Sequence, residues 1–287
     1  IKVSQSLRCS NCNFKSKLNQ NQLIKLACDC DGIIAGTEEY NKDVIKKLKK
    51  LKVISRLGVG VDNIDINAIK HKKIKLLITQ SSPSRSVAEL ALGLMLSVLR
   101  KISTSDRNIR MGKWNKEMGS LLSFKSLGII GLGKVGKELV KLLNSFGVNI
   151  FVHDKKFDEV FCRKYKCQKV SLNKLVSNSD IISIHINSTN KTKAIIDKKA
   201  FAMMKKNSIL INTSRGSLIN EEDLSNALKK KQIGGAALDV FSKEPYRGKL
   251  INQDNIILTP HIGSYAKEIR LQMELETVEN LIKNLPK

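Results

Sequence analysis

Two hundred and eighty-seven residues carry 51 Lys plus Arg against 26 Asp plus Glu, a formal net charge of +25. That length exceeds what one ordinary core supports and predicts two domains. A composition of 41% hydrophobic and 27% charged residues excludes a disordered chain, and no apolar run is long enough for a membrane-spanning helix.

The chain opens IKVSQSLR, without an initiator Met and without the charged-then-apolar layout of a secretory signal, so a trimmed chain and a cytoplasmic location are expected. Cys9-x2-Cys12 followed by Cys28-x-Cys30 resembles a zinc knuckle only superficially, because the second pair has one intervening residue. No metal is expected, and the cysteines read as reduced thiols. Cys28 and Cys30 end a helix-like stretch, NQLIKLACDCDG, and read as the edge of a core. Strands are predicted at 32–36 and 52–57 with a helix between them (NKDVIKKLKK), and another strand at 74–78. The long apolar stretch SVAELALGLMLSVLRKI, 86–102, reads as a helix buried on most sides. The following segment, with the only Trp (Trp114), reads as polar and irregular. Strands then recur from Leu127, at 180–186, 208–213, 233–239 and 255–259, with helices near 197–205, 220–230 and 265–284. Continuous apolar strands alternating with helices fit parallel sheets covered on both faces.

The clearest unit begins at Leu127. The strand LGIIG, the turn Gly131-x-Gly133-x-x-Gly136, a helix and a second strand ending at Asp154 form a dinucleotide-binding pattern. Gly131 makes the tight turn, Gly133 lets backbone approach a pyrophosphate, and Gly136 lets helix and strand pack closely. Backbone N–H groups at Lys134 and Val135 favour the anion. Asp154, 23 residues after Gly131, suits the ribose hydroxyls and favours NAD over NADP, although Lys155 and Lys156 beside it weaken that exclusion. Three later segments each end a predicted strand: NTSRG (212–216), DVFSKEP (239–245) and TPHIGS (259–264). Ligands of open parallel sheets bind at the carboxyl ends of strands, so Arg215, Glu244 and His261 are expected at one edge. An Arg forks a carboxylate, a His exchanges a proton near neutrality, and a Glu holds that His in one tautomer. His185, which also ends a strand, reads as a packing histidine near the cofactor, and His71 and His153 read as structural or exposed.

These segments, with GVGVDNID (58–65) and SRSVAEL (84–90), resemble the NAD-dependent D-2-hydroxyacid dehydrogenases, with most likeness to the D-3-phosphoglycerate dehydrogenase branch. The resemblance covers the chain from about Asp31 onward. It implies an α/β fold of two Rossmann-like or flavodoxin-like domains with parallel sheets, the cofactor domain inserted in the substrate domain. The expected boundaries are 1–99 plus 265–287 for the substrate domain, lacking its first strand and helix, and 100–264 for the NAD domain. By the same likeness Arg215 binds the substrate carboxylate, His261 is the acid/base, and Glu244 pairs with it. Val59 and Gly60 offer backbone amides to the carboxylate, and Arg85 lies near a substrate phosphate. Asp239 holds the nicotinamide carboxamide, while Thr213, Ser214, His185 and Gly263 line the cofactor site. The implied reaction interconverts a D-2-hydroxy acid and its 2-keto acid, 3-phosphoglycerate first, with glyoxylate or hydroxypyruvate as alternatives. A homodimer through the cofactor domain is implied as well. One departure is Asn187, where the family's HVP has Pro. An NAD-sensing binding protein without turnover is the rival from another class.

The charge is then reinterpreted. Forty-one of the 51 basic residues are Lys, spread in twos and threes, and aromatics are only 5%. Neither specific nucleic-acid binding nor a membrane is expected from that pattern. A Lys-rich solvated surface that steers a small anionic substrate is.

Overall fold

The computed structural model describes residues 18–80, 83–189 and 192–286. Two compact units divide between Ser82 and Pro83 and again between Ala266 and Lys267. Cys9 and Cys12 lie outside the described residues.

The first unit contains α1 (Gln20–Ala27), β1 (Gly32–Ala35), α2 (Lys42–Lys47), β2 (Val53–Arg56), α3 (Ile66–His71) and β3 (Lys75–Ile78). Its strands pair in parallel in chain order, with Gly32 opposite Val53 and Val53 opposite Lys75. Each helix start is marked by a capping side chain: Asn19 for α1, Asn41 for α2 and Asp65 for α3 accept from backbone amides of their first turns. Asn19 and Gln22 complete a capping box. Tyr40, Val44, Ile45, Leu48, Leu51, Ile54, Ile64 and Ile69 form the core. The last helix among the described residues, α11 (Lys267–Asn284), packs on this sheet, and the Ser55 hydroxyl donates to Thr277 O at 2.8 Å. Among the described residues β1 has a partner on one side only, so it is a sheet edge.

The second unit contains α4 (Ser84–Leu99), α5 (Ile102–Arg110), β4 (Ser126–Ile130), α6 (Lys134–Leu143), β5 (Asn149–His153), α7 (Glu159–Lys164), β6 (Gln168–Lys169), α8 (Leu172–Asn178), β7 (Ile181–Ile184), α9 (Lys198–Met203), β8 (Ile209–Asn212), α10 (Glu221–Lys229), β9 (Gly235–Leu238) and β10 (Ile256–Leu258). Its seven strands are all parallel in the order β6-β5-β4-β7-β8-β9-β10. The order reverses beside β4, which creates the switch point where such sheets bind ligands. Successive strand residues feed opposite faces. Leu127, Ile129, Ile181, Ile209 and Ile211 join the layer under α4 and α6, while Ile130, Ile182, Ile184 and Leu210 join the layer under α8, α9 and α10. That double coverage is why the strands read as unbroken apolar runs.

Three expectations change. The helix predicted at 86–102 runs over Ser84–Leu99 and packs on α6, β8 and β9, so it belongs to the second unit and not to the first. The supposedly irregular segment after it begins with α5, whose polar sequence hides a helix with no buried residue. Cys28 is exposed rather than at a core edge, and its thiol contacts Lys25 O.

Leu139 on α6 is fully buried between α4 and the sheet. Leu139→Ala is expected to cost about 2–5 kcal/mol of unfolding free energy, read by urea titration of the cofactor-unit transition.

Candidate active site

The glycine turn follows β4 directly. Gly131 has φ +99°, a conformation that L side chains rarely adopt, and a Cβ there would come within 2.5 Å of His185 O. Gly136, in the first turn of α6, backs onto Gly131 O so closely that a Cβ would sit 2.2 Å away. Gly133 differs, because a Cβ on it would meet no protein atom within 4 Å. Gly133 is also the N-cap of α6 and brings no side-chain cap, so the amides opening at Lys134 and Val135 are not satisfied by a capping residue. Asp154 follows β5. Its Oδ2 accepts from Leu132 N at 2.6 Å and its Oδ1 from Lys156 N at 2.7 Å, which fixes the carboxylate against the glycine turn. An open groove of about 540 Å³ is lined there by Leu132, Gly133, Asp154, Lys155, Lys156 and Phe157.

At the next strands along the same edge, two buried polar atoms lack a partner among the described residues: His185 Nδ1 and Thr213 Oγ1. They sit one residue beyond the paired ends of β7 and β8. His185 Nε2 meets the Ser183 hydroxyl at 2.8 Å, and burial pushes the imidazole down to about 4. Ser214 donates its hydroxyl to Ile184 O at 2.6 Å and ties the two strand ends together. Orphaned donors, an uncapped helix start, a glycine with free space and a fixed carboxylate at the switch point are the groups that a dinucleotide uses, so these residues fit one.

The loops after β8, β9 and β10 carry the three catalytic candidates. His261 Nδ1 lies 2.9 Å from Glu244 Oε2, and Glu244 Oε1 accepts from Phe241 N at 3.1 Å. With Nδ1 committed to a carboxylate, Nε2 is the nitrogen left for proton exchange. Arg215 Nη1 donates to Ser214 O at 2.7 Å, and the buried Asn212 side chain shapes that turn by donating to Arg215 O and accepting from Ser214 N. Gly216 has no clearance at all: a Cβ would fall 1.9 Å from Phe241 C. The Arg215 turn is therefore pressed onto the loop that holds Glu244, and the Glu244–His261 pair joins that loop to the next. Arg215, Glu244 and His261 are brought onto one edge of one sheet.

Asp239 is held inside the protein. It is 1% exposed, Oδ1 accepts from Thr259 Oγ1 at 2.6 Å and Ile262 N at 2.8 Å, and Oδ2 accepts from Gly263 N at 2.8 Å. Burial pushes its carboxyl up, and these donors pull against that. The carboxylate thus clamps the turn carrying His261, whose φ is +56°. Gly263 belongs to the clamp too, and its carbonyl accepts from Ser86 Oγ at 2.7 Å. The Arg85 guanidinium pairs with Glu89 at 2.6 Å and Glu138 at 3.7 Å. Among the other histidines, His71 is exposed and His153 Nδ1 contacts Val170 O.

In the first unit, Val59 and Gly60 lie on the loop after β2, with Val59 half exposed. Sequence reasoning missed two residues that shape this strand edge. Arg56 contacts the carbonyls of Ala35, Leu57 and Gly60, and Asn63 Nδ2 donates to Gly36 O and Glu38 O. The available signal for Arg56 was a cation closing an otherwise apolar strand.

Residues 92–263 match the D-isomer specific 2-hydroxyacid dehydrogenase, NAD binding domain. The chain belongs to that family. A D-3-phosphoglycerate dehydrogenase of Methanocaldococcus jannaschii is 38% identical over 94% of this chain and 54% of its own length. The hydroxypyruvate reductase of Thermotoga maritima is 37% identical over 93% of this chain and 89% of its own. The chain thus spans about half the length of the phosphoglycerate dehydrogenase it matches. Among solved structures, the D-lactate dehydrogenase of Escherichia coli superposes with a TM-score of 0.84 at 27% identity, covering 94% of this chain and 87% of that one. The matched segment includes the glycine turn, Asp154 and the Arg215, Glu244 and His261 loops.

The depressed His185 has a pH consequence. An imidazole held neutral down to about 4 when folded, but free to protonate near 6.5 when unfolded, loses folding stability as pH falls through that window. The loss amounts to at most roughly 3 kcal/mol. In urea unfolding at pH 7 and pH 4.5, His185→Gln should lose less stability between the two than the parent chain does.

Proposed function

We propose that this chain is an NAD-dependent oxidoreductase that interconverts a D-2-hydroxy acid and its 2-keto acid. The observation that carries the reading is the 2.9 Å His261 Nδ1–Glu244 contact on the sheet edge that also bears Arg215 and the dinucleotide turn. A bound nicotinamide would supply the hydride acceptor and donor for the substrate carbon. His261 Nε2 accepts the hydroxyl proton in oxidation and returns it to the carbonyl oxygen in reduction. Glu244 stabilises the imidazolium that forms. Arg215 supplies a planar cationic fork to the carboxylate and polarises the carbonyl. Asp154 receives the adenosine ribose, and the start of α6 receives the pyrophosphate. In the first unit, the Val59 and Gly60 amides are offered to a substrate carboxylate, and residues through Ser82 with the last helix form the substrate domain.

The first substrate pair under this reading is 3-phosphoglycerate and 3-phosphohydroxypyruvate, supported by relatives that carry the phosphoglycerate dehydrogenase name. The pairing of Arg85 with Glu89 and Glu138 favours a second reading, reduction of an unphosphorylated acid such as hydroxypyruvate or glyoxylate. A panel of these 2-keto acids with NADH, followed by absorbance, separates them. His261→Ala should lower kcat on the best substrate by about 10²–10⁴-fold while NADH still binds. Undiminished turnover would sink the assignment.

The homodimer belongs to the same proposal. Trp114, Met118 and Phe124 are 81%, 93% and 83% exposed within one short stretch of the cofactor unit, and apolar groups so placed are commonly covered by a second copy. A Trp114→Ser, Phe124→Ser variant is expected to shift the chain toward monomer in light scattering, and a parent chain that is already monomeric refutes the dimer.

A further inference from the structure

We propose that Arg56 is a positioning residue for substrate recognition: its guanidinium holds the Leu57–Gly60 turn in the form that presents the Val59 and Gly60 amides to a carboxylate. The inference rests on the proposed function, which gives those two amides their role.

The turn needs holding. It contains two glycines in four residues, and Gly58 has φ +130°, a region open to glycine and little else. Left alone, such a segment samples many conformations, and ordering it on binding would consume affinity. Arg56 closes β2 immediately before the turn and folds back over it. Its Nε donates to Gly60 O at 2.9 Å, at the far end of the turn. Its Nη1 donates to Leu57 O, at the near end, and to Ala35 O at 3.3 Å, on the neighbouring strand β1. One rigid plane therefore ties both ends of the turn to each other and to the sheet.

The donors this leaves are informative. Among the described residues, no backbone carbonyl accepts from the N–H of Val59 or Gly60. The guanidinium engages the Leu57 and Gly60 carbonyls and leaves those two amides untouched. A fixed cation beside them also favours an anionic ligand. Lysine cannot replace this arrangement, because a single ammonium lacks the planar fork that reaches both ends of the turn at once.

The test compares the parent chain with Arg56→Met and Arg56→Lys, using hydroxypyruvate and 3-phosphohydroxypyruvate as substrates. NADH dissociation is measured separately by fluorescence. A misplaced carboxylate contact should raise KM for both acids by a similar factor, on the order of 10²-fold for Arg56→Met. The lysine variant should show a rise of the same kind, and NADH affinity should stay unchanged. Hydrogen exchange at residues 57–61 should quicken in both variants. An unchanged KM in Arg56→Met overturns the proposal. So does a rise confined to the phosphorylated acid, which would make Arg56 a phosphate ligand, or a wild-type KM in Arg56→Lys, which would make bare charge sufficient. A parent chain that turns over neither acid defeats the functional reading before any variant is compared, and the proposal falls with it.

Discussion

One buried carboxylate organises the catalytic edge. Asp239 takes a hydroxyl and two backbone amides from the segment Thr259–Gly263, and His261 sits inside that segment in a left-handed conformation. A left-handed non-glycine residue costs on the order of 1–3 kcal/mol and persists only where its surroundings over-determine it. Here three hydrogen bonds to a single carboxyl group supply the constraint. The imidazole can then meet Glu244, and Glu244 in turn is fixed by the Phe241 amide. Loosening Asp239 would release the whole series of contacts.

Much of this was visible in the residues alone. The strand–turn–helix–strand–Asp pattern stands where it was expected, because each part has its own steric or electrostatic cause. Gly131 needs positive φ, Gly136 needs contact with Gly131 O, and Asp154 must end a strand. Arg215, Glu244 and His261 were found by one topological rule, that parallel sheets bind at their carboxyl ends. What stayed hidden depended on contacts between distant segments. Nothing local in DVF says that Asp239 will be spent on amides more than twenty residues away. Arg85 looked available until Glu138, on another helix, was found beside it. Helix α5 escaped because hydrophobic periodicity is a record of burial, and this helix buries nothing. Arg56 escaped because the turn it holds is gripped through carbonyls, which no sequence displays.

The surplus of positive charge also finds its scale. The described groups with a part in the site need few cations, and the placed one on the catalytic edge is Arg215. Several other basic side chains serve the scaffold. Lys72 donates to the carbonyls of Ile45, Lys46 and Leu48 at the end of α2, and Lys205 pairs with Asp180. A field from the remaining lysines would raise the encounter rate with a small anion more than its affinity, and salt would screen it.

The placement of α11 has a consequence for how the chain is made. Its sheet is finished by Ile78, yet the helix that lies on it begins at Lys267, after the entire second unit. During synthesis the three strands of the first unit must wait, one face uncovered, while Pro83–Ala266 emerge and complete a seven-stranded sheet of their own. The cofactor unit can reach its native state first, and the other closes only when the last turns of helix arrive. Until then Gly32, whose missing side chain makes room for Leu281 and Leu285, faces nothing from that helix. Ribosomal order thus delays the unit whose strands emerge before Pro83 until after the unit that follows it.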